Sequence, residues 1–107
     1  MFAVIYLFKT RNNQENKFID SWKEMTRLIY ENEGGLGSRL HKEKEGHYIA
    51  YAQWPDKELW ERSGNNLPES ANEVRQRMRS SCESVEILYE LEMIEDLIKE
   101  NPFQSNL

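Results

Sequence analysis

The first strand of the chain has two apolar faces, and this feature constrains the fold more than any other. Residues 2–9 read Phe-Ala-Val-Ile-Tyr-Leu-Phe-Lys, a run of β-branched and aromatic residues typical of a strand. Because strand side chains alternate, one face carries Phe2, Val4, Tyr6 and Phe8, and the other carries Ala3, Ile5 and Leu7. Helices in a small domain cover only one face of the sheet. We therefore predict that a second copy of the chain covers the other face, in a homodimer packed sheet to sheet.

Length and composition indicate one domain, residues 1–107, with a core over about 2–93 and a C-terminal extension at 94–107. The net charge of −5 argues against nucleic-acid binding, which needs a dense basic surface. No apolar run is long enough to span a membrane, and the N-terminus lacks a signal-peptide pattern, so no membrane association is expected. The single cysteine, Cys82, excludes an internal disulfide and favours a cytoplasmic location.

A long amphipathic helix is predicted over about residues 15–33. Its apolar residues recur at steps of three and four and form one stripe, made of Phe18, Trp22, Met25 and Ile29. Asn12 and Glu15 have the spacing of an N-cap and its N3 partner. Gly34 and Gly35 then supply residues that end a helix at low conformational cost.

Two further strands are predicted at residues 36–42 and 47–54, on either side of a charged turn at 43–46. Pro55 ends the second of them, because proline cannot donate to the ladder of a sheet. Asp56 is then placed to cap a short helix that carries Leu59 and Trp60.

The last helix and strand complete the order of elements. Pro68 opens a helix, and a strand runs from Ser84 to Met93. The predicted apolar face of that strand is formed by Val85, Ile87, Tyr89, Leu91 and Met93. The order βαββαβ predicts a ferredoxin-like α+β fold, in which an antiparallel sheet carries helices on one face.

Four segments spread over about residues 2–93 carry a family pattern. They are Phe-Ala-Val-Ile-Tyr-Leu-Phe at 2–8, Phe-Ile-Asp-Ser-Trp at 18–22, Gly-Gly-Leu-Gly-Ser-Arg-Leu-His at 34–41 and Tyr-Ala-Gln-Trp-Pro at 51–55. With these segments the chain resembles the antibiotic biosynthesis monooxygenase superfamily of dimeric α/β-barrel proteins. The resemblance implies a homodimer whose two sheets form a barrel, and a ligand pocket in each subunit between the sheet and its own helices.

The resemblance also implies a reaction. Active relatives use neither metal nor flavin, and oxidise an electron-rich aromatic anion directly with O₂. Their Trp at the end of the third strand and an aromatic residue on the following helix line the pocket, which implies this role for Trp54 and Trp60. Haem-degrading relatives use an Asn on the first strand and a His on the second helical segment. Neither is present here, which argues against haem oxygenation.

Seven residues are therefore candidates for the site. Trp54, Tyr51 and His41 are the catalytic candidates, because Tyr and His can exchange protons with a substrate and the unperturbed pKa of His is ~6.5. Substrate binding is predicted for Tyr6, Trp60, Trp22 and Arg75, the last as a counter-charge to an anion. No metal site and no cofactor are predicted.

Each candidate has a purely structural alternative. The aromatic residues are also suited to core packing, His41 to a solvated hairpin, and Arg75 to an ion-paired helix face. Two functions follow. The first is a cofactor-independent monooxygenase that oxidises a small quinol or a polyphenolic or polyketide aromatic. The second is a non-catalytic, dimeric, small-ligand-binding or stress-related protein of the same fold.

Overall fold

The computed structural model describes residues 1–99. The elements are β1 (Phe2–Thr10), α1 (Glu15–Asn32), β2 (Gly37–Lys44), β3 (His47–Trp54), α2 (Lys57–Glu61), α3 (Ala71–Ser80) and β4 (Cys82–Glu92). The predicted extension at 94–107 has no helix or strand as far as Lys99, and its remainder lies outside the described residues. No helix within this part of the chain is long and apolar enough to cross a membrane.

The four strands form one antiparallel sheet in the order β2-β3-β1-β4. β1 lies at the centre, where Phe2 pairs with Trp54 of β3 and Lys9 pairs with His47. Because the helices follow β1 and β3 in the chain, the architecture is the ferredoxin-like α+β fold. The fold class predicted from the sequence is confirmed.

The helices cover the face of the sheet that carries Phe2, Val4 and Phe8. Phe18 of α1 is fully buried, with its ring centroid 4.9 Å from that of Phe8 and 5.4 Å from that of Tyr48. A second cluster joins the two longer helices and is formed by Met25, Leu28, Ala71 and Val74. Both clusters use the apolar stripe predicted for α1, so burial of this stripe attaches the helical layer to the sheet.

The start of α1 differs from the prediction. The N-cap residue is Gln14, which makes no side-chain capping bond, so the prediction of an N-cap at Asn12 is wrong. Asn13 adopts a left-handed conformation with φ of 63°, and the Gln14 N–H donates to the Arg11 carbonyl at 3.1 Å. Asn12 is therefore part of a tight turn between β1 and α1. The predicted cap of the short helix is confirmed, because Asp56 accepts from the Leu59 N–H at 2.8 Å.

β4 changes face halfway along its length. Tyr6 pairs with Ile87, whereas the preceding Ile5 pairs with Tyr89, so Leu88 is an extra residue and forms a β-bulge. Paired residues lie on the same face of a sheet, which places Ile87 toward the helices and Tyr89 on the opposite face. The predicted single apolar face of this strand is wrong, because an extra residue inverts the alternation that follows it.

The sheet face opposite the helices is apolar and partly exposed; we call it the outer face. Tyr89 is 61% exposed and Leu91 is 44% exposed, and they pair with Ile5 and Ala3 of β1. Tyr51 of β3 pairs with Ile5 from the other side. No helix within residues 1–99 packs on this face. No described helix thus covers the second apolar face of β1, where Ala3 is nonetheless buried among its neighbours, and the homodimer stays a prediction.

Candidate functional site

A cavity of about 840 Å³ lies between the helix-covered face of the sheet and the helices α1 and α3. The segment that connects α2 to α3 closes part of it through Ser63, Gly64 and Leu67. Clefts of ~300–1,000 Å³ commonly hold small organic ligands, usually with apolar walls and a few placed polar groups. The size and the lining of this cavity therefore fit a ligand of a few fused rings.

Trp54 forms an apolar wall at the end of β3. Its side chain is buried and packs against Phe2 and Val4, and it also lines the cavity. Gly35 lies directly against the indole: a Cβ atom at this position would lie 3.4 Å from Trp54 Cη2 and 3.2 Å from Ile29 Cγ2. The absence of a side chain at Gly35 therefore makes room for the Trp54 indole.

A phenol on β1 and an indole on α2 form a hydrogen bond beside this wall. Tyr6 lines the cavity, and its hydroxyl oxygen accepts from Trp60 Nε1 at 3.0 Å. Burial raises the pKa of the Tyr6 hydroxyl; the Trp60 hydrogen bond partly opposes this, and the Glu90 carboxylate adds to it. Tyr6 is therefore a neutral phenol at physiological pH.

Two arginines of α3 bring positive charge to the cavity. Arg75 and Arg79 both line it, and residues four apart lie on the same side of a helix. Within residues 1–99 neither guanidinium forms an ion pair, whereas Arg77 pairs with Glu24 at 3.6 Å. Glu33 and Glu83 contribute two acidic side chains to the same lining. The wall formed by α3 can thus offer guanidinium hydrogen bonds to an anionic group.

A buried carboxylate holds the segment between α2 and α3. Glu33, at the end of α1, is 5% exposed, and its Oε1 accepts from the Gly64 N–H at 2.9 Å and from the Asn66 N–H at 3.1 Å. Gly64 has a φ of 107°, in the region that favours glycine. Glu33 also lines the cavity. This contact, the Glu33 clamp, fixes the cavity wall contributed by residues 63–67.

The sequence profile of the antibiotic biosynthesis monooxygenase family matches residues 1–68. This match covers more than half of the chain and includes Tyr6, Glu33 and Trp54, which line the cavity. The chain belongs to the antibiotic biosynthesis monooxygenase family. No curated protein sequence matches it significantly.

Solved structures share the family fold. SnoaB, a cofactor-independent oxygenase from Streptomyces nogalater, has a TM-score of 0.72 and 13% identity over 92% of this chain and 97% of its own. Rv0793 from Mycobacterium tuberculosis has a TM-score of 0.69 and 12% identity over 91% and 98%. A candidate antibiotic biosynthesis monooxygenase from Caulobacter crescentus CB15 has a TM-score of 0.71 and 17% identity over 88% and 90%. At these identities the likeness establishes the fold alone.

In this family member the candidate residues fall into two groups. Tyr6, Trp22, Trp54 and Arg75 line the cavity, and Trp60 contacts it indirectly by donating to Tyr6. Tyr51 and His41 lie on the outer face, where they pair with Ile5 and Ile49. The sheet separates these two side chains from the cavity, so the structure does not bring them together with the other candidates.

Sequence reasoning did not select Glu33, Arg79 or Cys82, which also line the cavity. For Arg79 a signal was present, since it lies four residues after Arg75. Glu33 stands next to Gly34-Gly35, so its position indicated only the end of a helix, and its partners lie more than 30 residues away. Among the described residues, no group of three or more His, Cys, Asp or Glu side chains is arranged to hold a metal ion.

Proposed function

We propose that this protein is a cofactor-independent monooxygenase that oxidises a small quinol or a polyphenolic or polyketide aromatic with O₂. One observation carries the proposal: a cavity of about 840 Å³ joins the Trp54 indole, the Tyr6 phenol and two arginines without ion pairs in the described chain. Family membership supports the same reaction class. SnoaB, which shares the fold, is a cofactor-independent oxygenase.

The proposed reaction needs only an ionised substrate and O₂. The ring anion transfers one electron to O₂, and the resulting ring radical and superoxide combine to a peroxide at the carbon that is a CH₂ group in the keto form of the substrate. Loss of water from the peroxide leaves one oxygen atom as a carbonyl. Overall CH₂ and O₂ give C=O and H₂O, and the substrate supplies all four electrons. In this scheme Trp54 and Trp22 hold the substrate ring in an apolar site, and the positive charge of Arg75 on the cavity wall balances the negative charge of the substrate anion.

The proposed enzyme is a homodimer that pairs through its outer faces. Ile5, Leu7, Tyr51, Tyr89 and Leu91 supply the apolar surface there. Burying it in a second copy removes apolar side chains from water, the main favourable term in most protein association. The cavity lies on the other side of the sheet, so each subunit keeps its own.

One observation favours the second function, a non-catalytic ligand-binding protein. The two residues that sequence analysis selected for proton transfer, Tyr51 and His41, lie on the outer face, and no histidine lines the cavity. A protein that only binds an aromatic ligand needs no group to receive the substrate proton. In such a binding protein, the same lining residues would bind the aromatic ligand without catalysing its oxidation.

Oxygen uptake distinguishes the two functions. Chelator-treated protein is tested with hydroquinones, naphthoquinols and anthrones, beside Trp54→Phe and the matched control Tyr51→Phe on the outer face. We expect uptake above the autoxidation rate, a loss of about tenfold or more in Trp54→Phe (~1.4 kcal/mol in activation free energy), and no change in Tyr51→Phe. No uptake, together with a rise in Tm on adding the same compounds, would instead establish a binding protein.

A further inference from the structure

The direction of the hydrogen bond between Trp60 and Tyr6 is fixed by chemistry. An indole N–H can only donate, so at 3.0 Å the Tyr6 oxygen must be the acceptor. The hydroxyl hydrogen of Tyr6 is not used in this bond. Within residues 1–99 the Tyr6 hydroxyl accepts this bond and donates none. Because Tyr6 lines the cavity, that hydrogen is available to a ligand there.

We propose that Tyr6 donates this hydrogen to the ionised oxygen of the substrate, and that Trp60 is the positioning residue that directs it into the cavity. The proposal rests on the proposed function for the nature of the substrate. It adds a specific role: the phenol selects ligands with a phenolate or enolate oxygen at one position on the ring. Tyr6 is the catalytic residue here, since it touches the substrate, and Trp60 acts through it.

The charges around Tyr6 make it a donor rather than a base. Its pKa is raised, first by burial, so the ionised form needed for a base is scarce at neutral pH. Glu90 of β4 faces it, and this carboxylate is itself paired with Lys57 of α2 at 3.5 Å. Arg75 and Arg79 of α3 line the same cavity. A neutral phenol that donates to an oxyanion forms a short, charge-assisted hydrogen bond.

Trp60 is well placed to hold the phenol in one orientation. Its helix α2 is capped by Asp56, whose carboxylate accepts from the Leu59 N–H at 2.8 Å. The Trp60 ring packs at a centroid distance of 5.7 Å from the buried Phe2. Because both the backbone and the ring of Trp60 are held in place, its indole N–H occupies one acceptor position of the Tyr6 oxygen. The donor of Tyr6 is thereby preorganised before the ligand binds.

The test is the pKa of a bound phenol, which needs no turnover. The probe is 4-nitrophenol, whose ionised form is read by its visible absorbance, titrated on the wild type, Tyr6→Phe, Trp60→Phe and the control Tyr51→Phe. We expect the pKa of the bound probe to rise by about one unit or more in Tyr6→Phe, because a hydrogen bond to a charged oxygen is lost. Trp60→Phe should show a smaller rise, and Tyr51→Phe should equal the wild type.

An unchanged probe pKa in Tyr6→Phe overturns the proposal, and so does a wild type that does not bind 4-nitrophenol. An unchanged value in Trp60→Phe, with a rise in Tyr6→Phe, overturns the positioning role. Thermal unfolding of each variant checks its fold, and if Tyr6→Phe does not fold, Trp60→Phe decides. The outcome is separable from that of the oxygenase test. A change of the probe pKa in Tyr6→Phe without oxygen uptake by the wild type supports the role of Tyr6 and contradicts the oxygenase. Oxygen uptake with an unchanged probe pKa supports the oxygenase and contradicts the role of Tyr6.

Discussion

Cys82 is the one cysteine of the chain, and its thiol is buried at the start of β4, where it lines the cavity. Burial raises the pKa of this thiol, with smaller opposing effects from the Ser81 hydroxyl and the Arg11 charge. A buried thiol in an apolar setting is protonated and unreactive. The Cys82 thiol therefore contributes to packing. Its ionisation affects the free energy of unfolding only at alkaline pH.

The raised pKa of Cys82 predicts how stability depends on pH. When the folded-state pKa of an acid is raised, the unfolded state binds fewer protons above the unfolded pKa, so stability is lost as pH rises. We expect the free energy of unfolding to fall from about pH 8.5 upward, where a free thiol ionises. Urea unfolding between pH 7 and 9.5 measures this slope. Cys82→Ala should have a shallower slope than the wild type over the same range, and equal slopes would contradict the prediction.

At the scale of elements, the Glu33 clamp joins the end of α1 to the segment between α2 and α3. This segment connects the helix that carries Trp60 to the helix that carries Arg75. One buried carboxylate oxygen thus supports the placement of both cavity walls. A buried acceptor with two backbone donors is costly to remove, because the two N–H groups lose their partner.

Substitutions at Glu33 separate its hydrogen bonds from its charge. Glu33→Ala should lower the free energy of unfolding by about 2–3 kcal/mol, and Glu33→Gln, which keeps an acceptor oxygen, by about 1 kcal/mol. Amide hydrogen exchange at Gly64 and Asn66 should be faster in Glu33→Ala than in Glu33→Gln. Exchange at these two amides that matches the wild type in Glu33→Ala would show that the clamp does not hold the segment.

At the scale of the whole molecule, the bulge at Leu88 decides what the sheet presents to each side. Before the bulge, β4 directs Ile87 to the helix-covered face and the cavity. After it, Tyr89 joins the outer face, and Glu90 lies toward the helices, where it pairs with Lys57. The bulge therefore adds apolar side chains to the outer face and a charge beside Tyr6 in one step.

The proposed dimer predicts that a charge on the outer face blocks assembly. Tyr89→Glu should convert the wild-type dimer to a folded monomer, because an unpaired carboxylate would be buried between the two sheets. Light scattering after size exclusion at micromolar concentration measures this. Tyr30→Glu is the matched control, since Tyr30 is 48% exposed on α1, away from the outer face, and should leave the dimer intact. A wild type that is monomeric under these conditions would contradict the proposal.

Much of the fold follows from local periodicity. The alternation in residues 2–9 and 47–54 predicted β1 and β3 to within one residue, and the apolar stripe from Phe18 to Ile29 predicted α1. The cap at Asp56 was also correct, because capping depends on residues three apart. The predicted cap at Asn12 was wrong because the chain forms a tight turn there. Asn13 is left-handed and the Gln14 N–H donates to the Arg11 carbonyl, and the spacing of helical residues does not predict such a turn.

The amino-acid pattern alone established that β1 has two apolar faces and that the order is βαββαβ, whereas the pocket near Trp54 was implied by the family resemblance. Tertiary structure decided which face of β1 meets the helices, and so placed Tyr6 in the cavity and Tyr51 outside it. It also inverted β4 at Leu88 and gave Glu33 partners in a distant segment. Periodicity is set by neighbours along the chain, whereas register, bulges and buried hydrogen bonds are set by residues that meet only after folding.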